Sequence, residues 1–265
     1  MPLKNLEHRP WPPPALPWVM TQTWYNLLFA HWPIPAETMR AHIPPALELD
    51  TYDGQAWIGV VPFGMTRVYP RGAFPVPWLS RFLELNVRTY VTYGGKPGVL
   101  FFSLEAANSA AVALARRFFQ LPYYHAHMRM KETGGWIDYS SYRIHAGAPP
   151  AEFAGRYRPT GQVYASQPGS LEAWLTERYC LYTVGRKGEV YRGEIHHARW
   201  PLQPAEAEIS VNSMTLPHGL RLPEAPPFVH FARRLETWEW LITRVDRTPE
   251  PAPPTPGRAQ PPAQP

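Results

Sequence analysis

Between Glu84 and Val91 the chain alternates with a period of two. Glu84, Asn86, Arg88 and Tyr90 are polar, and Leu85, Val87, Thr89 and Val91 are mostly apolar. Side chains two apart in a strand share a face, so one face of this strand carries an acid, an amide, a guanidinium and a phenol. A second such face follows at Tyr123, His125, His127 and Arg129, with Tyr124, Ala126, Met128 and Met130 opposite. Two polar faces set in a hydrophobic region predict a lined pocket. Between them the chain reads as a turn over Gly94-Gly95-Lys96-Pro97-Gly98, a strand from Val99 to Leu104, and a short helix over Ala110 to Phe119. Asn108 or Ser109 caps that helix and Pro122 ends it.

The flanking chain reads mainly as further strands. Trp18 to His31 and Ala56 to Met65 precede the polar strand, and Pro35 opens a short helix that Pro44-Pro45 stops. Beyond it lie Ile137 to Ile144, Tyr179 to Val184, Glu189 to His197, Glu206 to Met214 and Phe228 to Trp238. Ser170 caps a helix with Leu171, Trp174, Leu175 and Arg178 at helical spacing. Residues 146–168 read as loop-rich. About ten strands with three short helices make a β-rich α+β domain. So many closely connected strands predict a closed barrel or cone, which removes exposed edges and encloses a small-molecule cavity.

No composition break interrupts residues 18–246, which are expected to form a single domain. Residues 1–17 form a proline-rich arm anchored by Trp11 and Trp18. Residues 247–265 form a disordered tail, since eight prolines in the last seventeen residues and few large apolar side chains leave nothing to offset ordering entropy. One cysteine, Cys180, excludes an internal disulfide. No apolar run suits a signal peptide or a membrane span, so a cytoplasmic protein without membrane partners is expected. The net charge of +5 is scattered, with no basic stripe, so no nucleic-acid partner is expected. A homo-oligomer is left open.

Four lysines stand against twenty-two arginines. Lys4 is near the terminus, and Lys96, Lys131 and Lys187 sit at glycine-rich turns, which are surface features. A lysine nucleophile needs a pKa lowered by desolvation or a cationic neighbour, and none of these positions suits that. Cys180, mid-strand, suits a small buried hydrophobe. His125, His127, His145 and the pair His196-His197 could in principle bind a metal, but no His-Glu-x-x-His and no spaced cysteine pair accompanies them. They read as hydrogen-bonded barrel histidines, and neither metal nor cofactor is expected. The set that remains is Glu84, Asn86 and Arg88, with Arg116 at the helix end and Tyr123 beyond it. A partly buried carboxylate can serve as a general base near neutral pH, an arginine can hold an anion, and a tyrosine can donate to an oxyanion. A structural ion pair of Glu84 with Arg88 or Arg116 accounts for the same residues equally well.

The stretch Phe82-Leu83-Glu84-Leu85-Asn86-Val87-Arg88-Thr89-Tyr90-Val91 resembles the YqjF-like proteins, an uncharacterised bacterial family. So do Phe102-Ser103-Leu104-Glu105-Ala106, Thr176-Glu177-Arg178-Tyr179 and His196-His197-Ala198-Arg199-Trp200-Pro201-Leu202. The same core is distantly similar to acetoacetate decarboxylase. Its Gly-Arg-Glu segment followed by Pro-Lys-Lys resembles Ala115-Arg116-Arg117-Phe118-Phe119-Gln120-Leu121-Pro122-Tyr123-Tyr124. The resemblance implies a closed β-barrel or cone with a central cavity. It places that family's pocket glutamate on Glu84 and its arginine on Arg116, while the following acid becomes Arg117. Its Schiff-base lysine falls on Tyr123 and the neighbouring lysine on Tyr124. An N-terminal arginine has Gln22 as its nearest polar counterpart. Tyrosine cannot form an imine, so a Schiff-base decarboxylase is not expected.

The candidate catalytic residues are therefore Glu84, Tyr123 and Arg116. The candidate binding residues are Arg88, Asn86, Tyr90, Tyr124, His125 and Gln22. The expected partner is a small anionic or carbonyl-containing molecule. Whether the chain turns it over, only binds it, or uses these residues structurally stays open at the level of sequence.

Overall fold

The computed structural model describes residues 6–74, 80–109, 112 and 121–246. The strands are β1 (Met20–Ile34), β2 (Glu48–Leu49), β3 (Ala56–Pro70), β4 (Phe82–Tyr93), β5 (Lys96–Ala106), β6 (Tyr123–Thr133) and β7 (Trp136–Arg143). They continue as β8 (Glu152–Pro159), β9 (Cys180–Val184), β10 (Val190–His197), β11 (Leu202–Asn212), β12 (Phe228–Glu239) and β13 (Thr243–Arg244). Two short helices accompany them among the described residues, α1 (Ala36–Arg40) and α2 (Leu171–Thr176). Ser170 caps α2 as expected, its hydroxyl accepting from the Ala173 N–H at 3.2 Å. The helix expected over 110–119 lies almost wholly outside the described residues, as does the tail from residue 247.

Nine strands close on themselves in the order β5-β6-β7-β8-β11-β12-β1-β3-β4 and back to β5. The β9–β10 hairpin braces this barrel from outside, pairing with β5 at one end and β12 at the other. The result is the expected β-rich closed barrel.

Burial divides the wall in two. Strands β6, β7 and β8 alternate between buried and exposed positions, as a one-sided sheet does. Strands β1, β3 and β4 are buried on both faces. Their inner face carries Leu28, Ala30, Val60, Leu85 and Val87, packed against Tyr139, Phe153 and Tyr157 of the barrel core. Their outer face carries Leu27, Phe29, Val61 and Phe63, packed against Trp200, Leu202, Ala232 and Leu235. On that same side Tyr90 and Val99 meet Leu175 of α2. This doubly covered wall is where Glu84 sits, on the outer face.

Three local readings are corrected. The β4–β5 turn is only Gly94-Gly95, both at positive φ (59° and 74°), and Lys96 and Pro97 already pair with Tyr93 and Thr92. A two-residue turn with both positions left-handed matches strand twist, which glycine alone permits without strain. Residues 146–168 are not all loop, because β8 runs through Glu152–Pro159. Its period is hidden by Gly155 between the buried Phe153 and Tyr157. A Cβ at 155 would lie 2.8 Å from the Glu208 carbonyl, beside the irregularity at Ile209/Val211 in β11. A glycine in a strand marks such a close approach. Strand β11 also begins earlier than expected, at Leu202.

Gly98 serves the same purpose between β5 and β9. A Cβ there would stand 2.7 Å from Cys180 Sγ and 2.9 Å from the Cys180 carbonyl. Backbone cannot yield cheaply, so Gly98→Ala is expected to cost about 1–3 kcal/mol through overpacking. A urea midpoint unchanged from wild type would show that β9 can retreat freely.

Candidate functional site

The site begins on β4. Glu84 is 4% exposed, held between Phe63 on β3 and Ala106 on β5. Its carbonyl accepts a hydrogen bond from the Tyr139 hydroxyl at 2.7 Å, which ties this point of the wall to the barrel core. Its side chain meets Tyr123, the first residue of β6. That strand enters parallel to β5, pairing Tyr123 with Leu104, which in turn pairs with Asn86. The register brings the Tyr123 hydroxyl over the carboxyl, and it donates to Glu84 Oε2 at 3.0 Å.

Burial lifts the Glu84 pKa to about 8, against the pull of the Tyr123 hydrogen bond and with a further push from the charge of Glu239. The Tyr123 hydroxyl is driven well above its ordinary value, by burial first and then by Glu84 and Glu239. Near neutral pH both groups therefore hold their protons.

Glu239, the last residue of β12, was not among the sequence candidates. Burial lifts it to about 8 as well. The Gln22 amide donates to Glu239 Oε1, and the Trp24 indole N–H fixes the amide by donating to Gln22 Oε1 at 3.1 Å. The signal was present: Leu235, Thr237 and Glu239 alternate onto one face of β12, and continuing the period one step reaches the acid. Glu84 and Gln22 are buried, Tyr123 and Glu239 half-buried, and the charge of Glu239 acts on both Glu84 and Tyr123, so the four form one polar group.

The remaining candidates separate. Asn86 is buried on the Glu84 face. Arg88 shares the face, but its Nη2 donates to the Leu175 carbonyl at 3.3 Å and its guanidinium lies over the Phe29 ring at 5.1 Å. No ion pair joins Glu84 to Arg88, so the structural pairing that sequence left open is absent between these two. Tyr90 is wholly buried and engaged, with its hydroxyl 2.8 Å from the Leu175 carbonyl and 2.7 Å from His31 Nε2. That makes it a structural strut rather than a free binding group.

Tyr124 lies on the opposite face, under the Arg143 guanidinium at 4.0 Å, because consecutive strand residues point apart. His125 shares the Tyr123 face, with its ring 6.4 Å from that of His127. Arg116 lies outside the described residues. Among the described residues no three His, Cys, Asp or Glu side chains converge as a metal site would require. Cys180 is buried, with its thiol pushed up to about 12 by burial. Of the described lysines, Lys131 and Lys187 are exposed and Lys96 lies against the Trp11 ring at 5.6 Å. No described lysine joins the Glu84 group.

No helix among the described residues is long and apolar enough to cross a membrane. The fold is that of acetoacetate decarboxylase-like proteins. An acetoacetate decarboxylase-like enzyme from Sphingomonas wittichii RW1 superposes with a TM-score of 0.56 at 11% identity, over 87% of this chain and 94% of that one. The enduracididine biosynthesis enzyme MppR, in a complex with pyruvate, gives a TM-score of 0.58 at 10% identity, over 91% and 95%. In sequence, the uncharacterized protein YqjF of Bacillus subtilis is 48% identical over 227 residues, covering 86% of this chain and 93% of that protein. Residues 21–236 match the DUF2071 family, described as an uncharacterized conserved protein, and with this identity to YqjF the chain belongs to that family.

Proposed function

We propose that the outer-face group around Glu84 is a small-molecule site in which Glu84 and Tyr123 move a proton on a small oxo or carboxylate compound, without an imine. The observation that carries the reading is the hydrogen bond of Tyr123 to a buried Glu84 whose pKa stands at about 8. A carboxyl poised there can act as acid or base near physiological pH. Above that pH the Glu84 carboxylate takes a proton from the carbon next to a carbonyl. The electron pair of the broken C–H bond moves into a C=C bond, and the carbonyl oxygen gains the charge. Tyr123, which keeps its proton, donates to that oxygen. Arg88 suits the anionic end of such a compound. MppR, with pyruvate bound, shows that a protein of this fold holds a small oxo acid.

The test is hydrogen exchange. Incubated in D₂O with pyruvate, acetoacetate and 2-oxoglutarate, the protein is expected to erase the exchangeable C–H signals in proton NMR faster than buffer. The rate should climb as pH rises through about 8 and fall about 100-fold or more in Glu84→Gln. Saturable binding without exchange, unchanged in Glu84→Gln, would instead assign a non-catalytic binding protein. A borohydride-trapped adduct would overturn the absence of imine chemistry.

A further inference from the structure

We infer that the outer face of β6, β7, β8 and β11 is where two copies of this chain meet, across a two-fold axis that runs parallel to the strands between β7 and β8.

Strands β1, β3 and β4 are covered on both faces, whereas β6, β7, β8 and β11 present alternate side chains to solvent. The ladder register sets which of these lie abreast. Lys131 pairs with Asp138, Asp138 with Arg156, and Arg156 with Glu208. Directly opposed residues share a face, so one row across four strands reads positive, negative, positive, negative. All four side chains belong to exposed residues.

A row in this order is its own complement. Turned about an axis along the strands, it reads negative, positive, negative, positive. Lys131 then stands opposite the partner's Glu208, and Asp138 opposite the partner's Arg156. Each contact occurs twice, as a two-fold interface requires. The neighbouring rows agree with the same axis. Ser140 lies abreast of Ala154 and Tyr142 abreast of Glu152. The axis therefore sets Ser140 against the partner's Ala154, and the hydroxyl of Tyr142, a residue 51% exposed, against the partner's Glu152. Ser140, Ala154 and Gly155 also floor a depression between the long side chains. That leaves room for a facing sheet's arginines and lysines at a sheet spacing of about 10 Å.

Two of the cations are already held in place. The guanidiniums of Arg156 and Arg158 lie over the Trp136 ring at 4.6 and 4.5 Å, and they donate to Glu208 and Glu206 respectively. Fixing them in the free chain lowers the entropy lost when a partner engages them. The alternation of signs selects the occupant. A polyanion would meet Asp138 and Glu208, and a polycation would meet Lys131 and Arg156, while a second copy offends neither. The net charge of +5 repels two copies, but that repulsion is screened beyond about 10 Å at 0.1 M salt, whereas the opposed side chains touch. The patch spans about 14 Å across the strands and about 20 Å along them. Such a size lies at the low end for protein interfaces, so the dimer is weak and reversible.

Sedimentation velocity on the whole chain tests this. In about 50 mM salt the 30.3 kDa chain is expected to move toward twice that mass as its concentration rises to about 500 µM. In about 500 mM salt the association should weaken about ten-fold or more. Lys131→Glu alone and Glu208→Lys alone each set like charges against each other and should stay monomeric. Mixed in equal amounts, the two variants restore both contacts and should associate as wild type does. Both positions are exposed and lie three strands apart, so circular dichroism should show each variant folded. A wild type that stays monomeric throughout would overturn the dimer and leave this face to a different partner. Association that ignores both substitutions would place the contact on another face. A mixture that stays monomeric while wild type associates would overturn the two-fold pairing.

Discussion

Glu84→Gln is expected to stabilise the fold at alkaline pH and to leave it almost unchanged at acid pH. The folded-state pKa of Glu84 is about 8, against 4.5 for an ordinary glutamate. Below pH 4.5 the carboxyl is neutral in both states and costs nothing. Between 4.5 and 8 the unfolded chain has released a proton that the folded chain still holds. The unfolded state then binds fewer protons, so stability falls as pH rises. Above about 8 both states are ionised and the loss is complete. At roughly 1.4 kcal/mol per pKa unit the limiting loss is on the order of 5 kcal/mol.

Glutamine mimics the neutral carboxyl, keeping an acceptor for the Tyr123 hydroxyl, and does not ionise. Urea unfolding should show the variant and wild type matching near pH 4.5 and the variant ahead by about 4–5 kcal/mol at pH 9. Glu239 is raised to the same region and its charge acts on Glu84, so the two titrate as a pair. Wild-type stability that stays flat from pH 5 to pH 9 would contradict the burial of either acid in neutral form.

What the sequence disclosed about this site follows the physics of strands. Period-two alternation put Glu84, Asn86 and Arg88 on one face, and the structure has them there. The second polar face put Tyr123 in the candidate set, and the resemblance placed a family's pocket lysine on it, but its hydrogen bond to Glu84 depends on β6 entering parallel to β5 after a long connection. Tyr90 looked available from its position alone. Its engagement with His31 and Leu175 depends on α2 packing over the wall, more than eighty residues away in sequence. Glu239 lies one residue beyond Trp238, where the sequence pattern of β12 ends. Strand β8 escaped because Gly155, needed for a backbone approach to β11, reads as a breaker. Strands β1, β3 and β4 are buried on both faces, which the polar and apolar alternation of β4 does not show. That one wall serves two cores emerges only when the barrel closes.

The deepest ion pair among the described residues holds that geometry in place, and breaking it from one side is expected to cost more than breaking it from the other. Arg143 on β7 grips Glu105 on β5 with two bonds, Nε to Oε2 at 3.1 Å and Nη2 to Oε1 at 2.5 Å, and the side chains are 1% and 0% exposed. Strand β6, which carries Tyr123, runs between them: Tyr124 pairs with Glu105, and Ala126 with Arg143. The pair therefore clamps the strand that delivers the tyrosine to Glu84. Glu105→Ala leaves a guanidinium that cannot shed its charge, and about 3–5 kcal/mol of stability should be lost. In Arg143→Met the orphan is a carboxyl, which burial already pushes upward against the pull of Arg143. It can take up a proton, so the loss should be smaller and should shrink as pH falls. The double variant Glu105→Leu with Arg143→Met leaves no buried charge and should recover most of the loss. Urea midpoints for the three variants at pH 5 and pH 8 decide it. Equal costs for both single variants at both pH values, or a double variant worse than either single one, would mean that the clamp acts by packing rather than by charge.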